Sequence, residues 1–352
     1  MQNAITYHSD DFLKHTKLIH EIPAPYVDLL EAKIDKYVDQ LKSFELQCIQ
    51  PGQDRERLFG EITILNNSIL EACAKFEQHV DDPDAIKTAQ AYFREKTKHI
   101  HSKSYCINRV RTWPQGHQGD FMTLELNYRN TPLSEGIGYY LDRYFLSTPL
   151  AMAVRERLVK MRELLKKELG NRRNPKVLDV ACGSCREVFE LAPEIKSSGA
   201  KFKCVDLDHD ALDFARDRFS NAGLLSDDVE LITYNALRMF DYETAVTEFG
   251  RQDIIYSIGF FDYLPDEFLV KLLRSLYLML NNGGTLIAAF KDASRYRAQE
   301  FHWFADWDGF RQRTEEDFVR LLDLADIPHN ELSITKIDSG AIIFYSAKKL
   351  VM

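Results

Sequence analysis

After Gly170 the chain alternates short β-branched runs with helical stretches, and this rhythm constrains its fold more than any other feature. The runs "KVLDVA", "FKCVDL", "VELITYN", "DIIYSIG" and "GTLIAAF" are almost continuously apolar. Between them lie "REVFELAPEIK", "HDALDFARDRFSNAG" and "PDEFLVKLLRSLYLMLNNGG", which read as helices. Strands apolar on both faces and separated by helices build a parallel sheet covered on both sides. The last runs, "ELSITKID" and "AIIFYSAKK", are joined so tightly at Ser339-Gly340 that they pair antiparallel. The expected fold is therefore α/β: a Rossmann-like, seven-stranded, mostly parallel sheet ending in an antiparallel C-terminal hairpin.

That sheet needs only about half of the 352 residues. Upstream, Tyr26, Leu30, Ile34, Tyr37, Leu41, Phe44 and Cys48 recur at helical spacing, as do Leu58, Ile62, Leu65, Ile69, Cys73 and Phe76. Asp54 and Asp82 are placed to cap helices, the latter with Pro83 in the first turn. Residues 1–107 thus read as a helical bundle. Residues 108–174 form an aromatic, glycine-punctuated cap and a lead-in helix with Pro149 near its start and Gly170 at its end, and 175–352 form the sheet domain.

The formal charge of −9 argues against a nucleic-acid partner. No apolar run approaches the roughly 18 residues of a membrane span. The opening "MQNAITYHSDDFLKHTK" lacks the basic and apolar regions of a signal peptide, and six scattered cysteines suit reduced thiols, so a cytoplasmic location is expected.

Ligands of such sheets bind at the carboxyl ends of the strands. The first loop, "VLDVACGSCREV", ends its strand in Asp179, followed by Ala181 and a lone Gly183. One glycine makes a poor phosphate cradle, and the acid suits a cation such as an amino group or a sulfonium. Cys182 and Cys185 form a C-x-x-C, a spacing used in redox chemistry and in zinc sites. The favoured reading is two small buried loop residues and no metal. Asp206, followed by Leu207, ends the second strand, where an acid accepts hydrogen bonds from a ribose diol, while Asp208 is the better helix cap. Asn235 and Ala236 follow the third strand, where a side-chain amide can read an adenine edge. Ile258, Gly259, Asp262 and Tyr263 follow the fourth, as a flat apolar and aromatic floor.

In this order these residues resemble the class I S-adenosylmethionine (SAM) methyltransferases. Asp179 and Gly183 match the first motif, with Cys185 and Glu187 where the second and third glycines usually stand. Asp206 matches the ribose acid, Asn235 the adenine side, and "DIIYSIGFFDYL" the fourth motif. More narrowly, "GHQGDFMTLELNYRNTPLSEGIGYYLDRYFLSTPLAMAVRERL", "ACGSCREV" and "IYSIGFFDYLPD" resemble the bacterial 3-hydroxypalmitic acid methyl ester synthase family. The resemblance implies SAM as co-substrate, with Gly116 to Phe121 in the cap over it.

Methyl transfer asks the protein mainly to bind, aim and exclude water. The aromatic rings of Phe121, Tyr128, Tyr139, Tyr140 and Tyr144 are the reservoir for cation–π contact with the sulfonium, with Tyr128, Tyr139 and Tyr140 taken as catalytic and Phe121 and Tyr144 as cofactor contacts. Asp120 either caps the helix starting at Phe121 or binds the methionine amino group. Arg155 or Arg157 pairs with the methionine carboxylate, Arg157 being the better candidate for a solvated face. The stretch "FKDASRYRAQEFHWFADWDGFRQRT" reads as the substrate-side insertion, with Trp303, Phe304, Trp307 and Phe310 as an apolar surface. Its arginines, Arg311 foremost, offer forks for a carboxylate. His302 is the one nearby candidate base and reads better as a packed side chain.

The leading expectation is a small-molecule SAM-dependent methyltransferase acting on a carboxylate such as a hydroxy fatty acid. A second is a SAM-consuming cyclase or lyase of the azetidine-2-carboxylate synthase type, which would release methylthioadenosine from SAM alone. A third is a SAM-binding protein whose helical half serves interaction or homodimerisation. Nucleic-acid methylation is disfavoured, because [DNS]-P-P-[YFW] is absent after the fourth strand.

Overall fold

The computed structural model describes residues 24–350. The leader-free start expected at residues 1–17 lies outside that range. No helix among the described residues is long and apolar enough to cross a membrane.

The chain divides into two compact units. The helical unit comprises residues up to Gly116, Thr131–Thr148 and Arg297–Trp307. Its helices are α1 (Ala24–Cys48), α2 (Arg55–His79), α3 (Pro83–His101), α4 (Tyr105–Thr112) and, from the second segment, α6 (Ile137–Leu146). Asp54 caps α2 by accepting from the backbone N–H groups of Glu56 and Arg57, and Asp82 caps α3 ahead of Pro83. The predicted stripes bury Leu30, Ile34, Tyr37, Leu41, Leu58, Ile62 and Cys73 in one core. Tyr26 departs from its stripe: it is exposed and stacks on His79.

A polar chain crosses this core. Arg111 can only donate, so its bond to His101 Nδ1 (2.8 Å) leaves the proton on Nε2, facing the Tyr37 oxygen at 2.9 Å. The Tyr37 hydroxyl in turn donates to Asn66 Oδ1 at 2.9 Å.

The sheet unit comprises His117–Asn130, Pro149–Tyr296 and residues from Asp308 onward. It opens with α5 (Phe121–Arg129) and α7 (Pro149–Gly170). There follow β1 (Lys176–Val180), α8 (Arg186–Glu190), α9 (Ala192–Ser198), β2 (Lys201–Asp206), α10 (His209–Ala222), β3 (Val229–Thr233), α11 (Tyr242–Phe249) and β4 (Gln252–Ile258). Then come α12 (Asp266–Leu278), β5 (Leu280–Lys291), α13 (Glu315–Leu324), β6 (Leu332–Lys336) and β7 (Ile342–Lys348). The seven strands run in the order β3-β2-β1-β4-β5-β7-β6. The first five strands pair in parallel and β7 is antiparallel to both its neighbours, as expected for the Rossmann-like sheet with its final hairpin. The order reverses between β1 and β4, the place where such sheets bind ligands.

Three expectations shift. "REVFELAPEIK" is two short helices, because Pro193 cannot donate into a continuous one. "LNNGG" belongs to β5, the weak helix formers Asn281, Asn282 and Gly283 letting α12 stop at Leu278. The cap expected at 108–174 is no single body: residues 117–130 and 149 onward pack with the sheet, and 131–148 with the helices.

Candidate active site

The loop from β1 to α8 sets the site. Its backbone is left-handed at alternate positions, with φ of 57° at Ala181, 54° at Gly183 and 47° at Cys185. The glycine-like positions are therefore 181, 183 and 185, two residues earlier than the 183, 185 and 187 read from sequence. Glu187 lies inside α8. A left-handed residue with a Cβ costs about 1–2 kcal/mol, so Ala181 and Cys185 hold this shape against local strain.

Asp206, at the end of β2, fastens the loop. Its Oδ2 accepts from the Gly183 N–H at 2.7 Å and its Oδ1 from the Asp208 N–H at 2.9 Å. Asp208 caps α10, as expected, and leaves Asp206 to the loop. Burial raises the Asp206 carboxyl above its usual range, and the backbone donors pull it partly back. Beside it Leu207 is 65% exposed, an apolar surface at the strand end.

Helix α5 is anchored to this loop. Asp120 caps it: Oδ1 accepts from the N–H groups of Met122 (2.9 Å) and Thr123 (3.0 Å), and Oδ2 from the Thr123 hydroxyl. Of its two readings, the cap is the one realised within the chain. The Phe121 side chain reaches Gly183, 3.9 Å from where a Cβ would stand, and packs on Phe214. Fully buried Glu125, which sequence reading missed, accepts a bidentate pair from Arg218 (2.8 and 2.7 Å), Ser184 Oγ (2.7 Å) and Arg186 (3.0 Å). Burial alone would raise its carboxyl; Arg218, Ser184 and Arg186 bring it below the usual range. Arg155 donates to Asn127 Oδ1 at 2.8 Å, so one arm of its fork is committed within the unit.

Arg157 reverses its expectation. It is buried at 3% exposure, and its Nε has no hydrogen-bond partner. The signal was present: Leu150, Val154, Arg157 and Met161 share the buried face of α7. Its Nη1 lies 2.9 Å from the position a Cβ would take at Gly259, which has φ of 125°; only glycine leaves that space. The guanidinium also faces half-buried Tyr128, whose phenol burial pushes up.

Asp179 is fully buried and its two oxygens accept from no N–H or O–H donor of the chain at hydrogen-bond geometry, with the Glu187 carboxyl and the Tyr256 hydroxyl as its polar neighbours. Burial and the neighbouring Glu187 push its carboxyl well above the usual range. Glu187 is also raised by burial and accepts from the Tyr256 hydroxyl at 3.2 Å. Ligand atoms of Asp179, Cys182 and Cys185 lie within 4.8 Å of one another, a proximity that spacing did not reveal. Burial pushes both thiols up, which suits the inert, protonated reading. All six cysteines are free.

At the ends of β4 and β5, Ile258, Gly259 and Tyr263 are half-buried and Asp262 is buried. Asp262 Oδ1 accepts from the Lys291 backbone N–H (3.2 Å) and Oδ2 from its ammonium (2.5 Å). Lys291 was missed, although it is the charged residue that ends an apolar strand. Arg313 binds the carbonyl oxygens of Phe261 (3.3 Å) and Leu264 (2.5 Å) and the Asp266 carboxylate, fixing the loop after β4. Arg311 donates its backbone N–H to the Asp262 carbonyl at 2.7 Å and keeps its side chain exposed. Asn235 is exposed and its Oδ1 caps the 3-10 turn Ala236–Phe240 through the Leu237 N–H, while Ala236 is buried.

The remaining predicted residues belong to the helical unit. Tyr140 and Tyr144 are buried in its core with Tyr139 packed against it, and the Tyr144 hydroxyl donates to Asn67 Oδ1 at 3.1 Å. Helical spacing over Ile137–Leu146 explains this better than a ligand does. The supposed substrate insertion is divided. Trp303 and Phe304 complete the helical core, with Trp303 Nε1 donating to Glu77 at 2.7 Å, whereas Phe310 is buried in the sheet unit. The carbonyl of His302 accepts from Arg94 at 2.7 Å, within the helical unit.

Residues 177–284 match a family model described as a methyltransferase domain. No match to a curated protein was found. Among solved structures, the chain is similar to a possible exported protein from Bordetella parapertussis, at 20% identity and a TM-score of 0.58, over 92% of this chain and 97% of that one. This shared fold extends through both units. Magnesium protoporphyrin IX methyltransferase from Synechocystis PCC 6803, with bound SAM, matches at 14% identity over 57% of this chain and 84% of that one, with a TM-score of 0.40. The Burkholderia thailandensis 1,6-didemethyltoxoflavin-N1-methyltransferase, with bound S-adenosylhomocysteine, matches at 15% over 55% and 79%, with a TM-score of 0.40.

Proposed function

We propose that this protein binds SAM at the carboxyl ends of β1, β2 and β3 and directs methyl transfer to the carboxylate of a small acceptor, such as a hydroxy fatty acid. The observation that carries the reading is Asp206. Each of its oxygens takes one backbone N–H, which fixes the carboxylate plane and leaves lone pairs for a ribose diol. The orphaned oxygens of Asp179 and the orphaned Nε of Arg157 fit the two ends of an amino acid, one calling for a cation and the other for an anion.

In this reading Asp206 holds the ribose, Leu207, Asn235 and Ala236 flank the adenine, and Ala181 and Gly183 let the backbone approach the ligand. Asp179 pairs with the amino group and Arg157 with the carboxylate. Phe121 closes over Gly183. Bound SAM supplies a methyl group on a sulfonium: the acceptor oxygen forms the new C–O bond as the C–S pair returns to sulfur, and no proton moves. A carboxylate acceptor needs no general base from the chain, only desolvation and aim.

Incubation with SAM, with and without carboxylic acids, followed by mass spectrometry tests this. Release of S-adenosylhomocysteine with a methyl ester is the expected result. Methylthioadenosine formed from SAM alone would replace the reading with cyclisation or lysis. Tight SAM binding with no turnover would favour a non-catalytic role.

A further inference from the structure

Lys291 is a buried ammonium at the carboxyl end of β5. It therefore lies beyond β4 from the strands that carry the loop and Asp206, on the far side of the point where strand order reverses. The Lys291 ammonium stands 4.8 Å from the Phe310 ring centroid and 5.7 Å from that of Tyr263. Tyr263 and Tyr296 both contact Phe310, at ring separations of 6.3 and 6.1 Å. Asp262 holds Lys291 from both ends, at the backbone and at the ammonium.

A self-sufficient ion pair would need nothing more. Here a second buried cation, Arg157, acts on the same lysine: burial lowers the Lys291 pKa, Asp262 opposes that, and Arg157 adds to it. An ammonium also offers three donors, more than one carboxylate oxygen engages. A buried ammonium with donors to spare, in an aromatic frame at the edge where these sheets bind ligands, suits an anion as a further partner.

We propose that Lys291, oriented by Asp262 and framed by Tyr263, Tyr296 and Phe310, is the seat for the acceptor's carboxylate. Lys291 touches the acceptor, and Asp262 is a positioning residue. This rests on the SAM reading above and names the acceptor side of the same site. The ammonium engages one carboxylate oxygen and the aromatic frame receives the apolar body of the acid.

The test is calorimetric titration of the full chain loaded with S-adenosylhomocysteine, using octanoate and phenylacetate against octanamide and phenylacetamide. At least one acid should bind about 30-fold tighter than its amide, the span of a charge-assisted hydrogen bond. Lys291→Met should abolish that preference and leave S-adenosylhomocysteine binding within about threefold of wild type. Because Lys291→Met leaves Asp262 buried alone, the charge-free pair Asp262→Asn/Lys291→Met is measured beside it, and it too should lose the preference. A lysine that merely fastens the loop would alter stability without altering the acid-to-amide ratio. If the wild type binds S-adenosylhomocysteine but no acid better than its amide, or if a folded variant keeps the preference, the seat is overturned and the SAM reading stands. If the wild type binds neither SAM nor S-adenosylhomocysteine, both fall.

Discussion

Removing the Asp206 carboxylate is the most direct perturbation of the proposed cofactor site. Asp206→Ala deletes the acceptor of the Gly183 N–H at 2.7 Å and of the Asp208 N–H at 2.9 Å, together with the groups that would receive a ribose diol. A hydrogen bond to a charged group contributes about 1.5–3 kcal/mol. Losing both ribose bonds, with some rescue by water at this strand end, should weaken SAM binding by about 3 kcal/mol, or about 150-fold. Asp206→Asn should do little better, because both oxygens face backbone donors and the amide nitrogen would oppose one of them. Wild-type affinity should also fall on acidification. Burial raises the Asp206 carboxyl, so its protonation begins above the ordinary carboxylate range, and a protonated acid cannot accept on both oxygens. Titration calorimetry of folded variants, checked by circular dichroism, measures each effect. SAM affinity in Asp206→Ala within about threefold of wild type would refute the reasoning, since a carboxylate that holds the ribose cannot be lost at so small a cost.

Three further outcomes follow from the geometry. Arg218→Met leaves fully buried Glu125 without its bidentate partner, so thermal melts should show a loss of about 3–5 kcal/mol, largely restored by adding Glu125→Gln. Ala181→Gly relieves a left-handed residue and should be neutral or raise stability by about 1 kcal/mol; a clear loss would show that the loop is not held in this shape. His101 is held neutral by burial and by Arg111, far below the 6.5 of a free histidine. The unfolded chain then binds a proton that the folded chain refuses, so the helical unit should lose about 1.4 kcal/mol per pH unit below 6.5. Trp113, Trp303 and Trp307 all belong to that unit, so tryptophan fluorescence in urea reads it alone, and His101→Gln should flatten the slope by one proton.

The sheet was legible because its signals are local. Apolar runs, capping aspartates and the tight Ser339-Gly340 turn each depend on neighbours in sequence, and each predicted strand appears. The strand-end residues were legible for the same reason, since topology places Asp179, Asp206 and Gly259 once the strands are known. What failed was the assignment of side chains whose meaning depends on distant partners. Tyr140, Tyr144, Trp303 and Phe304 look like ligand-facing aromatics, yet they fill a core assembled from three separate segments. Composition cannot tell an aromatic cage from an aromatic core.

The charged residues show the converse error and how to correct it. Arg157, Glu125 and Lys291 each occupy a position whose periodicity marks it as buried: an apolar stripe for the helical residues, the end of an apolar strand for the lysine. A charge at an apolar-periodic position is costly unless partnered, so its presence calls for a partner somewhere in the fold or in a ligand. Glu125 finds its partners within the chain: Arg218, Arg186 and Ser184 account for it fully, and it is structural. Arg157 does not, because its Nε remains alone, and Asp179 does not, because both its oxygens do. Partner accounting at buried charges thus separates Glu125 from Arg157 and Asp179, whose unsatisfied atoms stand on the helix before β1 and at the end of β1, beside the reversal in strand order. This is why those two are given to a ligand in the proposed reading; Glu300, with one oxygen also alone, belongs to the helical unit.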